Sequence, residues 1–169
     1  PVCGGCGKTG TAWCPNCQSR IPHITEPFCE KCGKTSKKEG ICEKCTLNPP
    51  AYRKMRSWAV FESPVQNALQ TLIYRNNMGI GEALAHQLAD FVYSLRWDVD
   101  TFIPVPLGKK RLRQRGYNQL GLVARPLANE LGLRYAPRRL RKSRETRSQV
   151  GLHIYQRRDN VNGAYRAEV

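Results

Sequence analysis

Acidic residues are nearly missing from one stretch of this chain. Between residues 109 and 158 only Glu130 and Glu145 stand against fifteen Lys and Arg, so this segment alone supplies +13 of the net +15. The other 119 residues are close to balanced, with thirteen Lys and Arg against eleven acids. A field that concentrated attracts phosphate, whether on a polymer or on a metabolite. Long hydrophobic runs are missing too. None approaches the ~20 residues of a membrane-spanning helix, and no basic-then-apolar leader is read. The expectation is a cytoplasmic protein without membrane insertion. Pro1 in place of Met points to a trimmed or incomplete N-terminus. With 40% hydrophobic and 24% charged residues, wholesale disorder is excluded and a core is allowed. The length suits one ordinary domain plus a small module.

Cysteine is absent after residue 45. All eight stand before that point as four C-x2-C pairs: Cys3/Cys6, Cys14/Cys17, Cys29/Cys32 and Cys42/Cys45. Each such turn brings two sulfurs to one side of a tight loop, and two turns complete a tetrahedral four-thiolate zinc site. Gly7 and Gly33 follow the second Cys of two pairs, where the backbone must turn sharply. A disulfide framework fits poorly with the regular repeat and the cytoplasmic reading. The expectation is two structural Zn2+ ions, with Cys3, Cys6, Cys14 and Cys17 on one and Cys29, Cys32, Cys42 and Cys45 on the other. An interleaved, RING-like pairing uses the same eight ligands and stays open. So small a piece has few large apolar side chains, so metal must supply its stability. Four thiolates leave no open coordination position, so these ions are read as structural. Trp13 and Phe28 are a thin base-stacking platform, so a structural role is the expectation for this module and nucleic-acid contact its alternative.

After the cysteines the composition changes. Pro49 and Pro50 mark a linker over residues 49–57. "SWAVFE" (57–62) reads as a short strand. Ser63–Pro64 then opens a helix carrying Val65, Ala68, Leu69, Leu72 and Ile73, which "NNMGIG" (76–81) ends. A second helix is expected from about Ile80 to Leu95, with His86 off its apolar stripe. "DTFIPVPL" (100–107) reads as a buried strand running into a proline-bound loop. A helix from Asn118 to Leu131 should be kinked or interrupted by Pro126, and Gly132 closes it. A short strand within 134–143, a long basic loop with a turn of helix over 144–160, and the start of a strand at 161–169 complete the pattern. Strands alternating with helices predict an α/β domain with a largely parallel sheet.

The run "PLGKKRLRQRGYNQ" leaves the carboxyl end of a strand, where α/β sheets gather ligands. Arginine forks suit phosphate oxygens, Gly116 lets a backbone approach, and Asn118 and Gln119 add directional contacts. A solvated charged loop is the plain alternative for any one of these residues. Their grouping favours a phosphate-facing loop.

Three motifs carry a family resemblance over nearly the whole chain: "CGGCG…WCPNC…CEKCG…CEKC", "FIPVPLGKKRLRQRGYNQ" and "ETRSQVGLHIYQRRDNVNGAY". They resemble the ComF/GntX family (ComFC-like proteins), associated with competence and DNA uptake. The resemblance implies a double zinc ribbon at 1–48 and a type I phosphoribosyltransferase-like α/β domain at 58–169. It also implies phosphate or substrate contacts at Arg111, Arg115, Gly116, Asn118 and Gln119. Further contacts fall at Arg147, Gln149, Arg157 and Asn160 on a closing loop, residues 146–160. The family continues into a paired-acid, Thr-rich motif that holds phosphoribosyl diphosphate with Mg2+. Here there is no Asp-Asp pair, so the sheet is read as incomplete and the chain as a fragment or truncated product. Transferase chemistry, with Mg2+ and that substrate, is then expected of a full-length parent alone. Partners implied by the resemblance are single-stranded DNA, a phosphoribosyl-type substrate, and the competence helicase or other uptake proteins. A non-catalytic DNA-binding or adaptor role is the alternative.

Overall fold

Two four-cysteine clusters and one pair of packed helices organise this protein. The computed structural model describes residues 1–75 and 77–168. Asn76 and Val169 lie outside the described residues, and with them the parts of the expected 76–81 turn and 161–169 strand that fall on those positions. The chain divides into two compact units: Val2–Leu69, and Gln70–Val169 with Pro1. This division falls inside a helix, α3 (Val65–Tyr74).

The first unit is built on a repeat. Cys3 N donates to Lys8 O and Gly7 N to Cys3 O, both at 2.8 Å. Cys29 N to Lys34 O and Gly33 N to Cys29 O reproduce both bonds at 2.8 Å. Gly7 (φ +79) and Gly33 (φ +68) take the left-handed conformation that this turn demands. Each second cysteine pair opens a short helix: Cys14 precedes α1 (Pro15–Gln18) and Cys42 precedes α2 (Glu43–Leu47).

The segment expected as a linker, 49–57, lies against the second cysteine cluster. Met55 N donates to Lys31 O at 2.9 Å, and the Arg56 guanidinium sits over the Phe28 ring while bonding Glu30 O and Met55 O. The strand expected at 57–62 does not form. Ala59 makes only an isolated bridge to His23, and Phe61 is 61% exposed. A strand needs a neighbour along its length, which a local pattern cannot supply.

In the second unit, α4 (Gly79–Ser94) packs against α6 (Gln119–Glu130). Ala85, Ala89 and Leu127 are buried between them, with Leu88, Val92, Phe102, Val123 and Leu131 packed around. Small residues let the helices approach closely. At Gly81 a Cβ would stand 2.7 Å from Leu122 Cβ and 2.9 Å from Leu122 O. That carbonyl belongs to the residue whose helical partner is Pro126, which has no N–H to give. The expected interruption is not seen, because α6 runs through Pro126. His86 Nδ1 meets Glu130 Oε2 at 2.8 Å on the outer side of this pair.

The sheet is smaller than expected. β1 (Thr101–Phe102) pairs in parallel with β2 (Arg134–Tyr135), in register Thr101 to Arg134 and Phe102 to Tyr135. The largely parallel sheet expected is reduced to this pair, and a second, separate sheet is antiparallel, β3 (Leu140–Lys142) with β4 (Tyr165–Ala167). β1 is short because Pro104 and Pro106, lacking N–H groups, cannot extend its ladder. The basic run that follows is a helix, α5 (Lys109–Arg115), and not a loop. KKRLRQR consists entirely of good helix formers, bounded by Gly108 and by the left-handed Gly116 (φ +80). α7 (Ile154–Val161) is longer than the single turn expected, because His153 and Gln156 form a reciprocal cap at its start. Among the described residues no helix is long and apolar enough to cross a membrane.

Gly81→Ala tests the helix contact. Removing glycine from a helix normally gains up to about 1 kcal/mol, whereas overpacking against backbone costs about 1–3 kcal/mol. We expect a net loss, read as a lower urea midpoint at unchanged m-value.

Candidate functional site

The eight sulfurs fall into two clusters, Cys3/Cys6/Cys14/Cys17 and Cys29/Cys32/Cys42/Cys45, each with all Sγ atoms within 4.8 Å of one another. Pairing is therefore consecutive, and the interleaved alternative is closed. Cys3–Cys17, Cys6–Cys14 and Cys32–Cys42 lie at 3.7, 3.6 and 3.9 Å. A disulfide needs about 2.05 Å, whereas a tetrahedron with Zn–S of about 2.3 Å places its sulfurs about 3.8 Å apart. The donor set and spacing fit two structural zinc ions.

Backbone amides prepare each cluster. Cys14 N donates to Cys3 Sγ at 3.4 Å and Cys42 N to Cys29 Sγ at 3.3 Å. Burial works to raise the Cys3 thiol, but amides of Cys6, Cys14 and Gly5 outweigh it and bring the pKa to about 6. Amides of Cys32 and Cys42 bring Cys29 to about 6 as well. Burial and the neighbouring sulfurs push Cys17 upward, and the same causes push Cys45 up to about 12. Without a cation, each cluster thus favours one thiolate and one protonated thiol. A dication removes the repulsion and takes all four deprotonated, so metal is retained less well as pH falls. Trp13 is buried with its Nε1–H donating to Gln18 Oε1 at 2.8 Å, and Phe28 is covered by Arg56. Both aromatics serve this unit's interior.

In the second unit a cavity of about 750 Å3 opens beside α5. Arg111 and Arg115 lie four residues apart, on one face of the helix, and both line it. Gln119, at the start of α6, accepts from Arg115 Nη1 at 2.6 Å and lines the cavity too. Gln149 comes from the loop between β3 and α7. Four of the sequence-expected residues therefore converge here.

The other five do not line it. Gly116 closes α5, its N–H donating to Leu112 O at 2.8 Å. Asn118 caps α6, accepting from Leu120 N at 3.1 Å and donating to Val105 O at 3.0 Å. Asn160 clasps the backbone of Arg147, accepting from its N–H at 3.0 Å and donating to its C=O at 2.9 Å. Arg157 Nε donates to Leu152 O at 2.8 Å. These polar groups shape the loop and helix ends around the cavity.

Tyr74, Ile73, Leu107, Gln114, Ser148 and Val150 complete the lining. Sequence reasoning passed over Tyr74, whose place just off the α3 apolar stripe was its one signal; it is 68% exposed. Lys142 stands nearby in the charge network. Burial lowers its pKa, Glu145 works against that, and Arg111 and Arg144 add to the lowering. Its ammonium donates to Thr146 Oγ1 at 2.7 Å.

Elemental analysis of the purified chain is expected to give about two zinc ions, and Cys17→Ser about one. Chelation should unfold the cysteine-rich segment while leaving the α4–α6 helices folded, as read by peptide-resolved hydrogen exchange.

Residues 1–46 match the double zinc ribbon domain. The chain is 28% identical over 173 residues to DNA utilization protein YhgH of Salmonella typhimurium, covering 99% of this chain and 70% of the relative. Competence protein F of Haemophilus influenzae is 28% identical over 159 residues, covering 90% of this chain and 68% of the relative. Competence protein ComFC of Bacillus subtilis is 25% identical over 118 residues, covering 66% and 49%. No solved structure gives a significant match. With a double zinc ribbon at its front and DNA-utilisation and competence proteins aligned along its length, the chain is similar to ComF/ComFC-like proteins.

Proposed function

We propose that this protein binds phosphoryl groups at the α5 cavity as part of DNA utilisation, with the zinc ribbon in a structural role. One observation carries the reading: Arg111, Arg115, Gln119 and Gln149, from three separate segments, line one cavity of about 750 Å3. Two guanidiniums four residues apart, with amide groups beside them, suit the oxygens of a phosphate or diphosphate. The cavity volume is that of a small-molecule site. A phosphoribosyl-type ligand fits this chemistry, with its diphosphate on the arginines. The phosphoribosyltransferase-like architecture belongs to the same proposal. Its support is the β1–α5–α6–β2 parallel crossover, in which α5 is the first helix after a strand's carboxyl end.

Single-stranded DNA is the second reading, favoured by exposed aromatics among the cations. Tyr74 borders the arginines, and Tyr155 of α7 is 81% exposed beside Arg157 and Arg158. Bases stack on such rings while cations hold the backbone. The relatives' names support a DNA-linked role; partners such as the uptake helicase stay within this proposal.

Arg111→Ala/Arg115→Ala separates the outcomes. Each lost charge-assisted hydrogen bond is worth about 1.5–3 kcal/mol, so pyrophosphate affinity measured by calorimetry should fall at least tenfold. In filter binding to oligo(dT) at several salt concentrations, two lost contacts should flatten the salt slope by about 1.4. Unchanged pyrophosphate affinity together with an unchanged slope would overturn the proposal.

A further inference from the structure

Glu145 is one of only two acids in the fifty-residue basic segment, and it makes an unusual contact. Its carboxylate lies so close to Gly108 that a Cβ added there would overlap both oxygens and stand 2.8 Å from Cδ. Lys110 N donates to Glu145 Oε1 at 3.2 Å. The backbone of Gly108 is extended (φ −63, ψ 151), a conformation open to any residue. A side chain at this position would fit the backbone but would displace the Glu145 carboxylate, the movable end of a flexible side chain, from its place beside Gly108.

The consequence concerns the loop that carries Glu145. On its other side that loop is fastened to β3 and α7 through Lys142 with Thr146, Asn160 with Arg147, and Arg157 with Leu152. Toward α5, Lys110–Glu145 is the single hydrogen bond it makes among the described residues. Three to five residues beyond Glu145, Ser148, Gln149 and Val150 line the arginine cavity.

We propose that Glu145 is a positioning residue: set in the space that Gly108 leaves open, it ties this loop to α5 and so holds Ser148, Gln149 and Val150 as a wall of the cavity. Gly108 and Glu145 act as one unit, the glycine supplying room and the carboxylate supplying the bond. The effect on ligand affinity rests on the reading of the cavity as a phosphate site; the tether itself does not.

The test is a double-mutant cycle on the zinc-loaded full chain, read by hydrogen exchange of the 143–152 peptide and by pyrophosphate titration. Glu145→Ala should speed exchange in that peptide about tenfold, the size set by one lost charge-assisted bond, with α4 and α6 peptides unchanged. Gly108→Ala should do the same, and the double variant should be no faster than either single. Glu145→Gln, which keeps an acceptor oxygen for Lys110 N, should restore most of the protection. Equal exchange in wild type and Glu145→Ala, or additive effects in the double variant, would overturn the tether. Pyrophosphate affinity should fall about tenfold in Glu145→Ala and recover in Glu145→Gln. A freed loop with unchanged affinity would overturn the wall while leaving the phosphate reading intact. A wild type that binds no pyrophosphate would remove that reading and leave the tether to be decided by exchange alone.

Discussion

Like charge gathered into a small space is unstable unless a counter-charge is supplied, and this protein gathers it twice. Four sulfurs within 4.8 Å cannot all be thiolates on their own. Amides lower one sulfur of each cluster, and burial together with the neighbouring sulfurs raises another. A dication relieves the conflict with all four sulfurs deprotonated, and that attraction stands in for the large hydrophobic core that so short a segment lacks. The repeat of hydrogen bonds around Cys3 and Cys29 is the backbone's share of the same task.

The second gathering has the opposite sign. α5 carries Lys109, Lys110, Arg111, Arg113 and Arg115 within seven residues and has no acid of its own. Helix propensity lets the run coil, but it leaves the repulsion in place. Part of the answer is internal, since Glu145 reaches the start of the helix from a distant loop. The rest faces a cavity lined by arginine and glutamine side chains. In the ribbon the counter-charge is a resident ion, and at α5 we read it as a ligand's phosphate.

Between these features the scaffold is economical. Alanines and one glycine bring α4 and α6 together, and a helix-breaking proline is tolerated inside α6. β1 is cut to two residues by prolines, which releases the chain into α5 just past the strand's carboxyl end. Polar groups that might face a ligand are instead committed to this framework. Asn118 caps a helix, Asn160 holds a loop, and Gly116 turns the backbone. Residues grouped in one motif have thus been divided between shaping the cavity and lining it.

What the sequence determined by itself is whatever depends on near neighbours. The zinc ligands were legible because C-x2-C turns and their intervening hairpins are short-range, and the helices because their apolar spacing is. α5 was the exception, hidden by the glycines and prolines around it, although its own residues all favour a helix. Tertiary structure alone decided what needs distant partners. It left "SWAVFE" without a strand to pair with, separated the two small sheets, and brought Tyr74, Arg111 and Gln149 to one cavity. It also placed Glu145 against Gly108, thirty-seven residues away along the chain. No local pattern encodes such a meeting, because its energy comes from charge and close packing between segments that only the fold makes neighbours.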